Sequence, residues 1–334
     1  EGTTNNGNLC IGGYFGYGYV NHAERLTQPL IEQEPASWDQ AFDKIAEVVE
    51  AIRATDGPQS LAGLGSPRLS NEENYLFQKM FRVGLGSNNI DSEARFGALR
   101  AMQATEAVLG LRGASNLISA IGKSEAVLVF GADPTAEAPA VDWQVQNSCR
   151  RNDGNLIVAG MHKIKLSKFA NVSMICKPGT ELELANGISR LLYERNLLDS
   201  DYLNQYLENP DELKIHLDAI DIDVVCSKTG VTRSQMEETA DLLGAAKTVS
   251  IIFGAEITKS ARGYEKSIAI SDLAILCGAL RGGDAGGLFP LDEKGNMQGM
   301  LDMGVCPEYL PGYQPYAESR ERFGKVWKAE LPEA

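Results

Sequence analysis

Ala126-Val127-Leu128-Val129-Phe130, followed by Gly131-Ala132-Asp133-Pro134-Thr135, forms the clearest strand-and-turn pattern in this chain of 334 residues. A short apolar run that ends at a turn is typical of a strand buried on both faces of a sheet. Similar apolar runs occupy residues 155–159, 172–175 and 248–253, with helical patterns between them. This alternation predicts an α/β fold with a doubly wound parallel sheet that helices cover on both faces.

Two turns at the ends of these strands are candidate ligand positions. Ligands of doubly wound sheets bind at the carboxyl ends of the strands, near the point where the strand order reverses. Gly131-Ala132-Asp133-Pro134 and Gly254-Ala255-Glu256 are strand-end turns of this kind. The chain has neither a GxGxxG nor a GxxxxGK pattern, so the local residues favour two tight turns without a nucleotide.

Apolar spacing, caps and breakers predict the remaining elements. The predicted helices cover about 37–54, Ser70 to about Val83, Ala94 to Val108, the segment from Thr135 to about Arg151, Glu181 to Glu194 with Thr180 as its cap, 232–246 and Gly263 to Leu280, with two short helical segments near 200–218. Residues 60–65 are predicted to form a short buried strand, and Asn88–Asp91 a connector.

Composition and charge exclude several classes of function. The length predicts about two domains. The formal net charge of −14 argues against nucleic acid as a partner and against docking on an anionic membrane surface. No apolar run reaches the roughly 18 residues of a membrane-spanning helix, so direct membrane insertion is not expected.

The cysteines predict a reducing compartment. Six of them are scattered at 10, 149, 176, 226, 277 and 306, and no pair has CxxC spacing, so no zinc site is predicted. Cys277 lies in an apolar run and is predicted to be part of the core, while Cys149 and Cys176 are predicted to be ordinary packed thiols. This usage fits the cytosol.

One cysteine has unusual neighbours. Cys10 lies in a run of glycines and aromatic residues that extends from Gly7 to Asn21. Glycines let the backbone approach a bulky group and aromatic rings exclude water, so a thiolate could be presented here to a metal cluster. On the local residues alone, a glycine-rich loop with a buried cysteine is the alternative, because an iron–sulfur cluster normally needs four thiolates.

Several segments resemble one family. Gly7-Asn8-Leu9-Cys10, Gly13-Tyr14-Phe15-Gly16-Tyr17 and Arg25-Leu26-Thr27-Gln28-Pro29-Leu30-Ile31 resemble the end of the iron–sulfur segment of the molybdopterin oxidoreductase superfamily. The resemblance implies that Cys10 is the fourth ligand of a [4Fe–4S] cluster, with Gly12 and Gly13 beside the cluster. The other three ligands would lie upstream, so we expect the sequence to be a piece of a longer polypeptide.

The resemblance extends over almost the whole chain and is strongest to the formate dehydrogenase branch. It rests on residues 63–68, 71–79, 131–137, 178–180, 298–299, 302–304 and 310–315. It implies that residues 1–34 are the end of a [4Fe–4S] domain. Residues 35–92 and 291–334 would form a discontinuous α/β domain, and 93–290 an inserted α/β dinucleotide-fold domain, so that both domains would be doubly wound parallel sheets. The family's C-terminal domain would lie beyond this chain.

Departures from the family pattern concern the functional positions. Gly97 and Ala98 stand where the family's enzymes have cysteine or selenocysteine followed by histidine, and neither can ligate molybdenum or transfer a proton. Asp292 stands at the position of an active-site arginine, and Gly12 at that of a lysine between cluster and pterin. Gly160-Met161-His162 replaces the Asp-Pro-Arg turn that, in the family, helps to bind the guanine nucleotide. We therefore predict that molybdopterin is absent and that no catalytic residue remains.

The form Phe15-Gly16-Tyr17-Gly18-Tyr19-Val20-Asn21 is most similar to the branch of this family that includes the large peripheral-arm subunit of NADH-quinone oxidoreductase, respiratory complex I. That similarity implies an electron-transfer and scaffold function. The partners would be other peripheral-arm subunits, and the location would be cytoplasmic, peripheral to the inner membrane through the complex. Two alternatives stay open: a molybdopterin enzyme of formate dehydrogenase type with unfamiliar ligands, and a structural relic with neither cofactor.

Single polar residues add little. His22 could donate a hydrogen bond near the cluster, but a surface histidine is the simpler interpretation. His162 and His216 lack ligand-type partners at suitable spacing, so both are predicted to be structural or exposed. Glu137 and Asp142 are predicted to lie at a solvated helix start, where the helix dipole favours carboxylates.

Overall fold

The computed structural model describes residues 7, 9–198, 202–204, 207, 209–292 and 294–333. Contacts within the chain define two compact units. The larger unit is built from Phe96–Glu293, and the smaller from Leu9–Arg95 together with Lys294–Ala334. The assignment of residues 1–34 to an iron–sulfur domain stays a prediction.

The larger unit contains a five-stranded parallel sheet. Its strands, in spatial order, are Val172–Ile175, Asn155–Gly160, Ala126–Phe130, Val249–Phe253 and Gly287–Pro290. The central strand pairs in parallel on both sides, with Ala126 opposite Asn155 and Val249. The predicted parallel α/β sheet is confirmed. The fifth strand was not predicted, because it follows a glycine-rich loop and ends in a proline.

The central strand is completely buried, and its side chains alternate between two cores. All five side chains of Ala126–Phe130 are 0% exposed. Leu128 and Phe130 pack into the cluster on one face, and Val127 and Val129 pack into the cluster on the other. Because successive side chains of a strand point to opposite faces, one apolar run supplies both cores.

Helices cover both faces of this sheet. Their bounds are Ala98–Leu109, Ile118–Ile121, Pro134–Glu137, Pro139–Arg151, Glu181–Glu194, Pro210–Asp218, Ile222–Thr229, Arg233–Ala245, Ala255–Thr258 and Gly263–Leu276. Of the two short segments predicted near 200–218, one is the Pro210–Asp218 helix, while residues 199–201, 205, 206 and 208 lie outside the described part of the chain. Ile222–Thr229 was not predicted, although Asp221 caps it by accepting hydrogen bonds from two backbone amides.

Two helix starts differ from the predictions. The helix predicted from Ala94 is interrupted at Gly97, which has φ −161° and ψ −76°, and the regular helix begins at Ala98. The Thr180 side chain does not cap the helix that follows it. Its hydroxyl donates to the carbonyl of Lys177 over 2.7 Å, and the Glu181 carboxylate accepts the N–H of Gly179 over 3.0 Å instead.

The smaller unit contains short elements. Its α-helices are Ile11–Phe15, Trp38–Asp56, Asn71–Lys79, Met297–Asp302 and Tyr316–Trp327, and a π-helical turn spans Met80–Leu85. Gly63–Leu64 pairs in parallel with Ile90–Asp91, and two further strand pairs, Leu30–Ile31 with Glu34–Pro35 and Tyr309–Leu310 with Gln314–Pro315, are antiparallel. The predicted connector at 88–91 therefore contains a strand, whereas Leu64 of the predicted buried strand is 83% exposed.

A buried arginine joins the two chain segments of the smaller unit. Arg82 is 0% exposed. It donates hydrogen bonds to Gln78 and Asn88, and to the backbone carbonyls of Gly304, Cys306 and Tyr309. Burial lowers the pKa of its guanidinium to about 10. The segment around 304–309 is thus fixed to the helix at 71–79 and the turn that follows it.

Across the residues described, no helix is long and apolar enough to cross a bilayer.

Candidate functional site

The strand order of the large sheet reverses between Ala126–Phe130 and Val249–Phe253, so the crevice outside these strand ends is where a ligand would bind. The two strand-end turns touch each other there. Gly131 has φ +58°, a conformation that favours glycine. Its carbonyl accepts the N–H of Glu256 over 3.1 Å, and its own N–H donates to Ala159 over 2.7 Å.

The Glu256 side chain lies over these strand ends. Its Oε2 accepts the N–H of Met161 over 2.9 Å, and its Oε1 lies 2.7 Å from His162 Nδ1. The Glu256 side chain is 13% exposed, and that of His162 is 62% exposed. His162 is exposed, as predicted. Its carboxylate partner was missed, because nothing in the local sequence pairs it with a residue on another strand-end turn.

Glycines allow this close approach. A Cβ atom at Gly160 would lie 3.0 Å from Glu256 Oε2. A Cβ at Gly131 would lie 2.7 Å from Ile257 Cγ1 and 3.2 Å from the Cβ of Glu256. Gly131 therefore requires glycine because of its positive φ and the closeness of Ile257, and a side chain at residue 160 would force the Glu256 carboxylate to move.

Carboxylates also follow the central strand. Asp133 caps the short helix after it by accepting the N–H of Thr135 over 3.2 Å. Asp142 is buried, at 7% exposure, and accepts hydrogen bonds from the Thr135 hydroxyl and the Gln146 amide. The prediction of a solvated Asp142 was wrong, because the break at Ala138 turns the next helix so that Asp142 packs inward.

Gly97 and Ala98 lie in a packed environment. A Cβ at Gly97 would lie 3.0 Å from Lys259 Cγ and 3.1 Å from Thr258 Oγ1. Ala98 is 2% exposed. Thr258 is also 2% exposed, and within the described residues its hydroxyl has no hydrogen-bond partner. A longer side chain at either position would require these neighbours to move.

Asp292 lies two residues after the last strand of the sheet, which ends at Pro290. The N–H of its neighbour Leu291 donates to Phe253 over 2.7 Å and so extends the pairing of the last two strands. Asp292 itself is partly buried and interacts with other residues of the chain. Asp292 therefore lies at the end of the sheet where the carboxyl ends of the parallel strands meet, as Gly131 and Glu256 do.

Cys10 belongs to the smaller unit and stands just before the Ile11–Phe15 helix. Its side chain does not cap that helix, and the residue is partly buried. A Cβ at Gly12 would lie 3.6 Å from the sulfur, an ordinary contact, and one at Gly13 would lie 3.2 Å from Leu9 Cβ. The expected aromatic enclosure is not formed by the described residues, since the neighbouring Tyr14 is 53% exposed.

The other five cysteines have raised pKa values. Burial raises the pKa of the Cys176 and Cys306 thiols to about 11 and that of Cys277 to about 12. It also raises the pKa of Cys149 and Cys226. These five thiols are therefore protonated near pH 7 in the chain as described. In the described part of the chain, no three potential ligands of the His, Cys, Asp and Glu types form a metal-binding group.

Comparison with known proteins decides the family. The model of the molybdopterin oxidoreductase family matches residues 25–313. The chain belongs to the molybdopterin oxidoreductase family. The resemblance predicted from the sequence is thereby confirmed, and the parallel sheet described above is the sheet of a molybdopterin oxidoreductase-type fold.

Two relatives match at least 99% of this chain. It is 40% identical over 334 residues to NADPH-Fe(3+) oxidoreductase subunit alpha of Geobacter sulfurreducens, a match that covers 100% of this chain and 39% of the relative. It is 32% identical over 343 residues to formate dehydrogenase H of Escherichia coli, covering 99% of this chain and 48% of the relative. The chain thus spans less than half the length of these proteins.

A solved structure shares the fold. Acetylene hydratase from Pelobacter acetylenicus superimposes with a TM-score of 0.69 and 18% sequence identity, over 84% of this chain and 39% of that protein. At this identity the likeness concerns the arrangement of strands and helices alone.

Proposed function

We propose that this chain is an electron-transfer and scaffold part of an oxidoreductase with several subunits, similar to the large peripheral-arm subunit of complex I. In this proposal Cys10 ligates a [4Fe–4S] cluster in the intact protein, and the molybdenum site of the family has been lost. The partners are other subunits of the same complex. The complex holds the protein at the cytoplasmic side of the inner membrane.

The packing around Gly97 and Ala98 is the observation that carries this proposal. A molybdenum enzyme needs a side chain that ligates the metal and a group that accepts a proton. Gly97 offers neither, and its Cβ position is bounded by Thr258 and Lys259 at 3.1 and 3.0 Å. Ala98 is 2% exposed, so a histidine there would need a rearranged core. The residues present do not fit a molybdenum site.

The charge of Asp292 supports the same conclusion. The family resemblance implies that the enzymes hold an anionic substrate with an arginine at this position. A carboxylate there would repel formate or nitrate, and the repulsion grows as the site becomes drier. Gly12 likewise supplies no cation beside the proposed cluster.

The relatives support a function in electron transfer. NADPH-Fe(3+) oxidoreductase subunit alpha is a subunit, and its name gives a nicotinamide as the electron donor. A parent enzyme that oxidises NADH or NADPH is therefore compatible with complex I and also with an enzyme that reduces another acceptor. In either case this chain would pass electrons onward without acting on a small substrate.

A molybdopterin-dependent oxidoreductase of formate dehydrogenase type is the second candidate. Its support is the 32% identity with formate dehydrogenase H over 99% of this chain. In that case a residue other than Gly97 would ligate the metal. Cys149 is one such residue to consider, but burial raises the pKa of its thiol, which opposes ligation.

Iron analysis of the full-length protein tests the cluster. Replacing Cys10 by Ala should remove about four irons per chain, because these clusters depend on their cysteine ligands. Cys226→Ala is the matched control, since Cys226 is a free, partly buried cysteine with a raised pKa. Its iron content and paramagnetic-resonance spectrum should equal those of the unmodified protein. Unchanged iron in Cys10→Ala would contradict the proposal.

A further inference from the structure

The crevice at the strand-order reversal is filled from within the chain. Its walls are the turn after the central strand and the turn after Val249–Phe253, and they are joined by the Glu256 N–H and the Gly131 carbonyl at 3.1 Å. From this junction the Glu256 side chain extends past Gly131 to Met161 at the end of the neighbouring strand. One side chain thus spans three adjacent strand ends.

The groups that hold Glu256 are those that would hold a bound anion. A backbone N–H, that of Met161, donates to Oε2 at 2.9 Å, and the His162 imidazole lies 2.7 Å from Oε1. Backbone amides and imidazolium groups are also the donors that proteins use for phosphate oxygens. The Glu256 carboxylate thus already contacts two groups of the kind that bind phosphate oxygens.

Steric and electrostatic conditions both oppose a second anion here. The missing Cβ of Gly160 would lie only 3.0 Å from Glu256 Oε2, so the carboxylate lies directly against the strand end. The missing Cβ of Gly254 would lie 3.0 Å from Glu137 Oε2, which brings a second carboxylate to the same edge. Carboxylates at this end of the sheet oppose the binding of a further anion, and the repulsion is stronger where water is excluded.

We propose that the Glu256 carboxylate occupies this crevice and thereby prevents the diphosphate of a nucleotide from binding there. The inference deepens the proposed function, on which it rests: a family member without a molybdenum site has no use for a bound nucleotide group. Glu256 is therefore a residue that determines ligand exclusion, and His162 and the Met161 amide position it.

Nucleotide binding to the full-length protein tests this inference, with GDP as the probe. The unmodified protein should bind GDP at least about tenfold more weakly than Glu256→Ala, a difference that corresponds to about 1.4 kcal/mol. Glu256→Gln keeps the size of the side chain and removes its charge. It should bind GDP at least about threefold more tightly than the unmodified protein and carries the test if the alanine variant does not fold.

Glu125→Ala is the matched control. Glu125 Oε2 accepts the N–H of Lys247 over 2.8 Å, which is the same kind of contact between a carboxylate and a backbone amide. Glu125 immediately precedes the central strand and therefore lies at the opposite end of the strands from Glu256. Its removal should leave GDP binding unchanged. Equal GDP affinity of the unmodified protein and both Glu256 variants would overturn the inference. The molybdenum content of the same sample is measured separately, because it tests the proposed function and not this inference.

Discussion

Gly97 carries the strongest argument against a metal ligand at its position. Its place between Thr258 and Lys259 was not evident from the sequence, where only the missing functional group could be recognised. We expect Gly97→Cys to lower the free energy of unfolding by about 1–3 kcal/mol, because extra atoms in a packed site force their neighbours to move. Chemical denaturation measures this. Gly295→Cys is the control, since a Cβ at Gly295 has no neighbour within 4 Å. Equal stability of the two variants would show that Gly97 has room for a thiol.

Asp272 should make stability depend on pH. Burial raises its pKa to about 6, and the nearby His216 only partly opposes this. The folded protein then holds a proton that the unfolded chain releases above about pH 4, so stability is lost as the pH rises from 4 to 6. Asp272→Asn should therefore stabilise the protein by about 1–3 kcal/mol at pH 7.5 and have little effect at pH 4. Urea denaturation at both pH values tests this. Glu265→Gln, exposed on the same helix, is the control, and a pH-independent effect of Asp272→Asn would contradict the prediction.

At the scale of elements, a buried ion pair joins two helices of the larger unit. Lys266 Nζ lies 2.5 Å from Glu181 Oε2, and the two side chains are 2% and 0% exposed. Lys266→Met should lower the free energy of unfolding by about 3–5 kcal/mol, because it leaves a buried carboxylate without its partner. The double variant with Glu181→Leu should recover much of the loss, as an apolar pair often replaces a buried ion pair at little cost.

The exposed pair of Arg195 and Asp241 provides the comparison for this test. Its atoms lie 2.8 Å apart, but the side chains are 38% and 48% exposed. Arg195→Met should therefore cost less than about 1 kcal/mol. Similar losses for Lys266→Met and Arg195→Met would show that the buried pair has no special importance. The measurement is again the denaturation midpoint and slope.

The sequence predicted regular elements well where one physical signal dominated. Ala126–Phe130 and Val249–Phe253 are buried on both faces, and an unbroken apolar run is the consequence. The strand at 287–290 was missed because glycines and a proline, which favour turns, form a strand only beside Val249–Phe253. The interruption at Gly97 was missed because the apolar spacing continues across it.

At the scale of the whole molecule, the family and the α/β class could be predicted, whereas the contacts of the site could not. The motifs around Gly131 and Pro178 consist of consecutive residues, so they can be recognised in the sequence alone. The pairing of Glu256 with Met161 and His162 joins residues about 95 positions apart, and it depends on the strand order of the sheet. In the sequence, the only indication of this pairing was that residues 160–162 differ from the Asp-Pro-Arg turn of the family.

The most direct measurement is the molybdopterin content and formate oxidation of the full-length protein, produced with molybdenum supplied. The account predicts iron without stoichiometric molybdenum or pterin, and no formate oxidation. The reason is that Gly97 and Ala98 supply neither a metal ligand nor a proton acceptor, and that in the proposed function Asp292 would repel an anionic substrate. Stoichiometric molybdopterin together with turnover of formate would contradict it.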